Sequence, residues 1–332
     1  MGPAEAGAVL TMPDRDEFVR STESYRRELT AHCYRMLGSV DDAEELVQET
    51  YLRAWRSYGG FEGRSTVRAW LYRIATNVCL TALQRPVRRV LPSGLGGPSD
   101  DPAAPPVPAG PEVSWLQPIP DALVAPESND PAAIVSARAG VRLALIASLQ
   151  HLPARQRAVL ILREVLEFPA AEVAQMLDTS TPAVKSALQR ARARLDAKAP
   201  AAEELVEPDA PEARALLNQY MHAFEQADPQ ALEQALRDDA ALEMTPARTW
   251  FAGKHTCMPY LRSVIGAAGD WRMAPIVANG QPGAAAYRRA DDGSYEPFAI
   301  VLLTAAADGI TRITLFGSSR LFKHFGLTSQ PT

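Results

Sequence analysis

Lys185, Gln189 and Arg192 follow one another at spacings of four and three. On an α-helix they form one stripe, with Ser186, Arg190 and Arg194 beside it. Amide and cationic side chains in that array suit two tasks, hydrogen bonds to base edges and charge contacts with phosphates. Five basic residues stand against one acid, Asp196, between Lys185 and Lys198. A second set lies in "FEGRSTVRAWLYRIATNV", where Arg64, Arg68 and Arg73 mix with Phe61, Trp70 and Tyr72. Arginine beside aromatic rings can hold unstacked bases. A third set is mostly acidic. Asp42, Glu45, Gln48, Glu49 and Arg53 share the polar side of a helix whose other side carries Ala43, Leu46, Val47, Thr50, Ala54 and Trp55. None of these sets is a nucleophile–base pair, and no cysteine-based metal site is visible, so no catalytic residue, metal or cofactor is expected. The chemistry on offer is recognition.

The elements that carry these sets follow from pattern. In "DTSTPAVKSALQRARARL", Thr181 is expected to cap a helix with Pro182 at its first position. Val184, Leu188, Ala191 and Leu195 form its anchoring stripe. Helices are expected from Ala154 to Val165 and from about Pro169, so the segment reads as a helix-turn-helix. Its helix start, with Ser180, Thr181, Lys185, Ser186 and Gln189, is placed to read bases, and Arg190, Arg192 and Arg194 to hold phosphates. Residues 14–90 are helical throughout, with Ser39 or Asp41 as the cap of the acidic helix and Trp70, Leu71, Ile74 and Val78 turned inward on the next.

Residues 91–131 separate the two helical blocks. Eleven of the chain's 27 prolines fall there, which predicts an extended, semi-rigid linker. Within it, "SWLQPIPD" places Trp115 and Leu116 where water would surround them, so a docking segment is expected. The second block spans 132–198. Beyond a second break, residues 208–332 show helices at Glu212–Gln226 and Pro229–Arg237, then period-two segments "WRMAPIVA", "AAAYRRA", "FAIVLLTA" and "ITRITLFG" split by turns such as "NGQPG". An α+β domain with an antiparallel sheet is expected.

The whole chain has 332 residues and a formal charge of -5, which argues against coating of nucleic acid by the entire protein but leaves local basic patches free. Apolar runs are too short for a membrane span. The first residues lack a basic start and apolar core, and the three cysteines are widely spaced, so free thiols in the cytoplasm are expected.

The segment "YRRELTAHCYRMLGSVDDAEELVQETYLRAWRSYGGFEGRSTVRAWLYRIATNVCLTAL" resembles the second domain of a sigma-70 family RNA polymerase sigma factor of the extracytoplasmic-function (ECF) type. That resemblance implies that Asp42, Glu45, Gln48 and Glu49 face the clamp helices of the polymerase largest subunit. It implies that Phe61, Arg64, Ser65, Arg68, Arg73 and Asn77 read the melted minus-ten promoter element. Many relatives carry Asp where this chain has Thr81. The helix-turn-helix resembles the fourth domain of the same family, which binds duplex minus-35 DNA. Residues 208–332 resemble the SnoaL-like cone fold, and "SWLQPIPD" a linker element of ECF groups with such an extension. The fold class implied is two all-α domains, the second a helix-turn-helix, plus an α+β cone. Tyr220, Phe224, Met244, Trp250, His255, Tyr260, Trp271, Tyr287 and Phe298 are candidates for lining its pocket. The expected partners are core polymerase and promoter DNA, with a small-molecule ligand or intramolecular docking for the third domain, which would regulate the others in cis.

Two other readings fit parts of the chain. One is a ligand-responsive helix-turn-helix regulator that works without polymerase, which leaves the first block unused. The other is a DNA-binding protein fused to a SnoaL-like enzyme. That reading needs a positioned carboxylate base, and Asp238, Asp239, Glu243 and Asp270 are candidates by type alone.

Overall fold

Four helices form the N-terminal unit: α1 (Arg15–Thr22), α2 (Arg26–Leu37), α3 (Val40–Ser57) and α4 (Val67–Ala82). A computed structural model describes residues 15–63, 65–84, 88–103, 105–126, 130–196 and 205–328. Ser39, rather than Asp41, caps α3, its hydroxyl accepting from the Asp42 N–H at 3.1 Å. Asp41 and Asp42 sit in the first turn, where the helix dipole favours acids. Thr66 caps α4 in the same way, accepting from Ala69 N–H. The inward face of α4 differs from expectation. Leu71 and Val78 are buried, but Trp70 and Ile74 are half-buried. The residues that meet α2 include Tyr72 and Thr76, both against His32, and Cys79, against Cys33. Tyr72 is therefore a core residue, fully buried, and not a base-stacking neighbour of Phe61. Cys33 and Cys79, distant in sequence, meet between these helices as free thiols, and their hydrogen bond, with burial, holds the Cys79 thiol well above its usual range.

After α4 the chain forms β1 (Arg89–Val90), crosses the proline-rich stretch, and returns as β2 (Ser114–Trp115), parallel to β1. The second helical unit comprises α5 (Pro131–Ala139), α6 (Leu143–Leu149), α7 (Ala154–Leu160), α8 (Ala170–Met176) and α9 (Thr181–Asp196). A π-helical turn, Ile161–Val165, continues α7. Ser180, not Thr181, supplies the hydroxyl that accepts from the start of α9, at Ala183 N–H. Thr181 is already inside the helix, which moves Pro182 to the second helical position.

The C-terminal domain has α10 (Pro211–Glu225), α11 (Pro229–Ala235), β3 (Leu236–Thr245), β4 (Trp250–Ala252), α12 (Lys254–Val264), β5 (Trp271–Ala278), β6 (Gln281–Arg289), β7 (Tyr295–Ala306) and β8 (Gly309–Phe316), then a 3-10 stretch, Ser319–Phe325. The sheet order is β4-β3-β8-β7-β6-β5. It is mixed rather than antiparallel, because β3 and β8 pair in parallel at its middle. The second helix stops short of Arg237, since Leu236 already has extended backbone. The architecture is α+β, with α10–α12 against one face of a six-stranded mixed sheet. Its sheet is buried on both faces. Val301 and Leu303 of β7 join the core under α10–α12. Ile300 and Leu302 join a second core shared with both helical units and the linker. Burial on both sides is why "FAIVLLTA" is apolar without interruption.

His32 lies at the centre of the N-terminal unit, with its Nε2 at 2.9 Å from Thr76 Oγ1. Burial, aided by the Arg35 guanidinium, pushes its pKa down to about 3. The unfolded chain takes up this proton below pH 6.5 and the folded chain does not until about pH 3. Stability contributed by neutral His32 is thus complete above pH 6.5 and falls as the medium acidifies. Between pH 7 and pH 5 the wild type should lose about 2 kcal/mol more stability than His32→Gln, read by chemical denaturation. Parallel losses in the two chains would contradict this.

Candidate nucleic-acid and polymerase interface

The free face of α9 is built as a groove edge. Val184 and Ala191 are buried and Leu188 and Leu195 half-buried, so the helix is seated on α7 and α8. Lys185, Ser186, Gln189, Arg190, Arg192 and Arg194 are all exposed, as is Ser180, while Thr181 is half-buried. Lys185, Gln189 and Arg192 line one shallow surface groove. The arginines are held by short-range partners: Arg192 by Glu164 at 2.5 Å, Arg194 by Gln156 at 3.0 Å, and Arg190 by Ser186 one turn back. These exposed contacts are weak and exchangeable for phosphate.

The arginine–aromatic set on and before α4 divides in two. Phe61 stacks near Tyr58 and lies 4.9 Å from the Trp70 ring centre. Ser65 and Arg73 are exposed, and Arg73 lines a surface groove with Trp70, Ile74 and Asn77. Arg64 lies outside the described residues. Arg68 and Asn77, by contrast, are engaged by the second helical unit. The Arg68 guanidinium sits 4.7 Å from the centre of the Phe168 ring and pairs with Glu28 at 3.1 Å. Asn77 Nδ2 donates to Met176 O at 3.4 Å. Two of the candidate residues on α4 thus touch the turn before α8 and α8 itself.

On α3, Glu45 and Gln48 are exposed and Glu49 pairs with Arg53 at 2.6 Å. Leu52, three residues beyond Glu49, is 51% exposed in the same row. It was missed in the sequence because only its spacing, not its type, marks it as part of this face. The start of α3 is occupied. Arg89 pairs with Asp42 at 2.5 Å. His324 places Nε2 at 2.9 Å from Asp41 and Nδ1 at 3.2 Å from Glu44, with its side chain 2% exposed. Lys323 adds an ion pair to Asp41 at 3.0 Å. Burial pushes the Asp41 carboxyl up, but hydrogen bonds from Lys323, His324 and Gln117 outweigh it and hold the group below the usual carboxylate range.

All parts of the chain meet at the corner between α2 and α3. Gly38 turns this corner with φ at 70°. A Cβ there would fall 2.5 Å from Leu116 Cδ2, so the corner and the docked linker require glycine. Leu116 and Ile119 are buried in the shared core, and Trp115 is half-buried. Gln117 donates its N–H to Gly38 O, accepts from Ser39 at 2.7 Å, and donates to Asp41 at 3.0 Å. The Tyr34 hydroxyl donates to Gln117 O at 2.8 Å. Asn279, in the β5–β6 turn, is fully buried and ties three segments together. Its amide donates to Tyr34 Oη at 2.8 Å and to Val141 O at 2.6 Å, and its Oδ1 accepts from Ile119 N–H at 2.9 Å. From the second helical unit, Arg157 reaches Met36 O and Gln150, and burial pushes its pKa down to about 10.

In the C-terminal domain, six of the nine expected residues line the cavity: Tyr220, Phe224, Met244, Tyr260, Trp271 and Phe298. Three do not. Trp250 donates to Gly96 O of the linker, Tyr287 packs on Phe322 across the outer sheet face, and His255 is exposed. Of the four acids, only Asp270 reaches the cavity, and its Oδ2 accepts from Ala267 N–H. Glu243 is buried against Arg312 and accepts from Ser93 N–H instead. Among the described residues, no three His, Cys, Asp or Glu side chains cluster to hold a metal, and no single helix is long and apolar enough to cross a membrane.

Two helical units on one chain, one a helix-turn-helix with an exposed cationic face, are the layout of a bipartite promoter-recognition protein. Family models agree: Sigma-70 region 2 matches residues 22–89 and Sigma-70, region 4 matches residues 142–195. The chain is 50% identical to the ECF RNA polymerase sigma factor SigG of Mycobacterium tuberculosis over 316 residues, 94% of this chain and 84% of that protein. It is 30% identical to SigJ of the same species over 186 residues, 54% of this chain and 50% of SigJ. The crystal structure of the M. tuberculosis ECF sigma factor SigJ shares the fold, with a TM-score of 0.57 and 22% identity over 92% of this chain and 98% of that one. The chain belongs to the ECF RNA polymerase sigma factor family, and its function is that of a sigma factor, the subunit that gives RNA polymerase its promoter specificity.

Removing the Asn279 side chain leaves Val141 O and Ile119 N–H buried without partners. Asn279→Ala should destabilise the closed arrangement by about 2–4 kcal/mol and raise the radius of gyration in small-angle scattering. An unchanged radius together with unchanged unfolding would contradict the role given to this residue.

Proposed function

We propose that this sigma factor rests in a closed state and opens on core polymerase. In this reading residues 14–90 bind core and read minus-ten DNA, 91–131 link, 132–198 read minus-35 DNA, and 208–332 regulate. The polymerase clamp helices take the row formed by Asp42, Glu45, Gln48, Glu49 and Leu52. Phe61, Arg64, Ser65, Arg68, Arg73 and Asn77 capture minus-ten bases from the non-template strand. Ser180, Thr181, Lys185, Ser186 and Gln189 face base edges, and Arg190, Arg192 and Arg194 face phosphates. Trp115 and Leu116 dock the linker. The cytoplasm is the place of action.

One observation supports regulation in cis above the rest. Arg68 and Asn77 touch the second helical unit while His324 and Lys323 bind the first turn of α3. The same closed packing therefore engages two DNA-facing residues and, through Asp41 and Glu44, borders the polymerase-facing row. The C-terminal domain holds that packing through Asn279 and the Ser319–Phe325 stretch. We read this domain as a regulator and not an enzyme, since Asp270, the acid at its cavity, is committed to its own loop. The cavity leaves room for a small-molecule effector.

Replacing Lys323 and His324 together by Ala should raise run-off transcription with core polymerase severalfold at limiting sigma concentration. Equal or lower transcription from the folded variant would overturn regulation through this contact. In duplex binding, Gln189→Ala should cost about 1–3 kcal/mol on the cognate minus-35 sequence and little on other DNA. Arg194→Ala should weaken both and reduce the salt slope by about one. Identical behaviour of the two variants would sink the division of roles along α9.

A further inference from the structure

The C-terminal cavity has a volume of about 550 Å³, inside the range of roughly 300–1,000 Å³ typical of small-molecule sites. Its walls are rings and thioethers: Phe224, Tyr260, Trp271, Phe298, Met244 and Met273. Tyr220 lines it too and is only 2% exposed. Its hydroxyl makes no hydrogen bond among the described residues, so it is free to bond an occupant of the cavity. The cavity thus carries an unused donor among largely apolar walls. Arg288 stands at the rim, exposed, 5.8 Å from the Trp271 ring centre, with no ion-pair partner among the described residues.

One wall belongs to the linker. Pro106 lines the cavity. The residues after it are stitched to the mouth: Val107 N–H donates to Thr249 Oγ1 at 2.9 Å, Arg248 N–H to Val107 O at 2.8 Å, and Ala109 N–H to Pro246 O at 3.1 Å. An occupant therefore touches the segment that joins the two promoter-reading units.

We propose that this cavity binds a neutral, ring-bearing apolar small molecule through a carbonyl-type acceptor hydrogen-bonded to Tyr220, and that the occupant secures the linker at Pro106. The binding claim stands on the cavity alone; only its consequence for transcription rests on regulation in cis. Burial holds the Tyr220 phenol protonated and well above its usual pKa, so the donor persists at any physiological pH. Rings stack on the aromatic walls, and the acceptor replaces the partner that the hydroxyl lacks. A ligand without an acceptor leaves that donor unpaired.

The test uses the full chain and 6-propionyl-2-(dimethylamino)naphthalene, a neutral two-ring ketone whose emission reports polarity and hydrogen bonding to its carbonyl. Titration should saturate at one probe per chain. Tyr220→Phe, which keeps the ring, should weaken binding about five- to tenfold and shift bound emission to shorter wavelength. Ala286→Phe, which fills the cavity from its wall, should abolish the site while circular dichroism stays native. Saturating probe should slow proteinase K cleavage within residues 102–109 at least threefold in the wild type. Binding that does not saturate, or that survives both substitutions unchanged in affinity and emission, overturns the site. Unchanged cleavage with the site full overturns its hold on the linker. Neither readout involves transcription, so failure here is separate from failure of the closed-state reading.

Discussion

The arrangement of this chain depends on polar atoms buried at the corner between α2 and α3. Gly38 O, Tyr34 Oη, Met36 O and the Ser39 hydroxyl all sit away from water, and each is met by another part of the chain. Gln117 of the linker, Asn279 of the C-terminal domain and Arg157 of the second helical unit supply those partners. A buried polar group left unpaired costs about 1–3 kcal/mol. The corner therefore couples the segments: withdrawing one leaves atoms of the others unsatisfied. The apolar cluster around Leu116 and Ile119 adds non-directional attraction, and the hydrogen bonds fix the register.

In the closed state proposed above, the same corner also carries a weak point. Arg157 is buried with carbonyls and an amide as acceptors, and its Nε has no partner among the described residues. A buried guanidinium without a carboxylate is poorly compensated, so its exposure on opening offsets part of the loss. The contacts over α4 are similarly thin, a ring under Arg68 and one long hydrogen bond from Asn77. They oppose opening less than the corner does. In the proposed opening, polymerase and DNA have a small barrier to overcome there and a larger one at the corner.

Much of this was legible in the sequence, for physical reasons that differ by segment. The face assignment of α9 rests on helical period alone, and the burial of Val184 and Ala191 follows it. The strands of the C-terminal sheet show through short apolar runs bounded by turn residues, and Asn279-Gly280 marks a turn because Asn and Gly tolerate positive φ. Tyr72 was misjudged because an aromatic near arginines has two homes, and only the position of α2 decides between them. The parallel β3–β8 pair depends on chain return across the whole sheet, which local pattern does not carry. Asn279, Gln117 and His324 look like turn and surface residues in sequence. Their partners lie 138, 78 and 283 residues away, and no local spacing announces such contacts.

We propose that the two helical units are held together in the free chain and separate on core polymerase. Dyes at Arg56→Cys on α3 and Gln175→Cys on α8, both exposed positions, report it directly by single-molecule energy transfer, since the native cysteines are buried. A single high-transfer population in the free protein, converted to low transfer by core polymerase, is the predicted result. A free chain already dominated by low transfer would contradict the account.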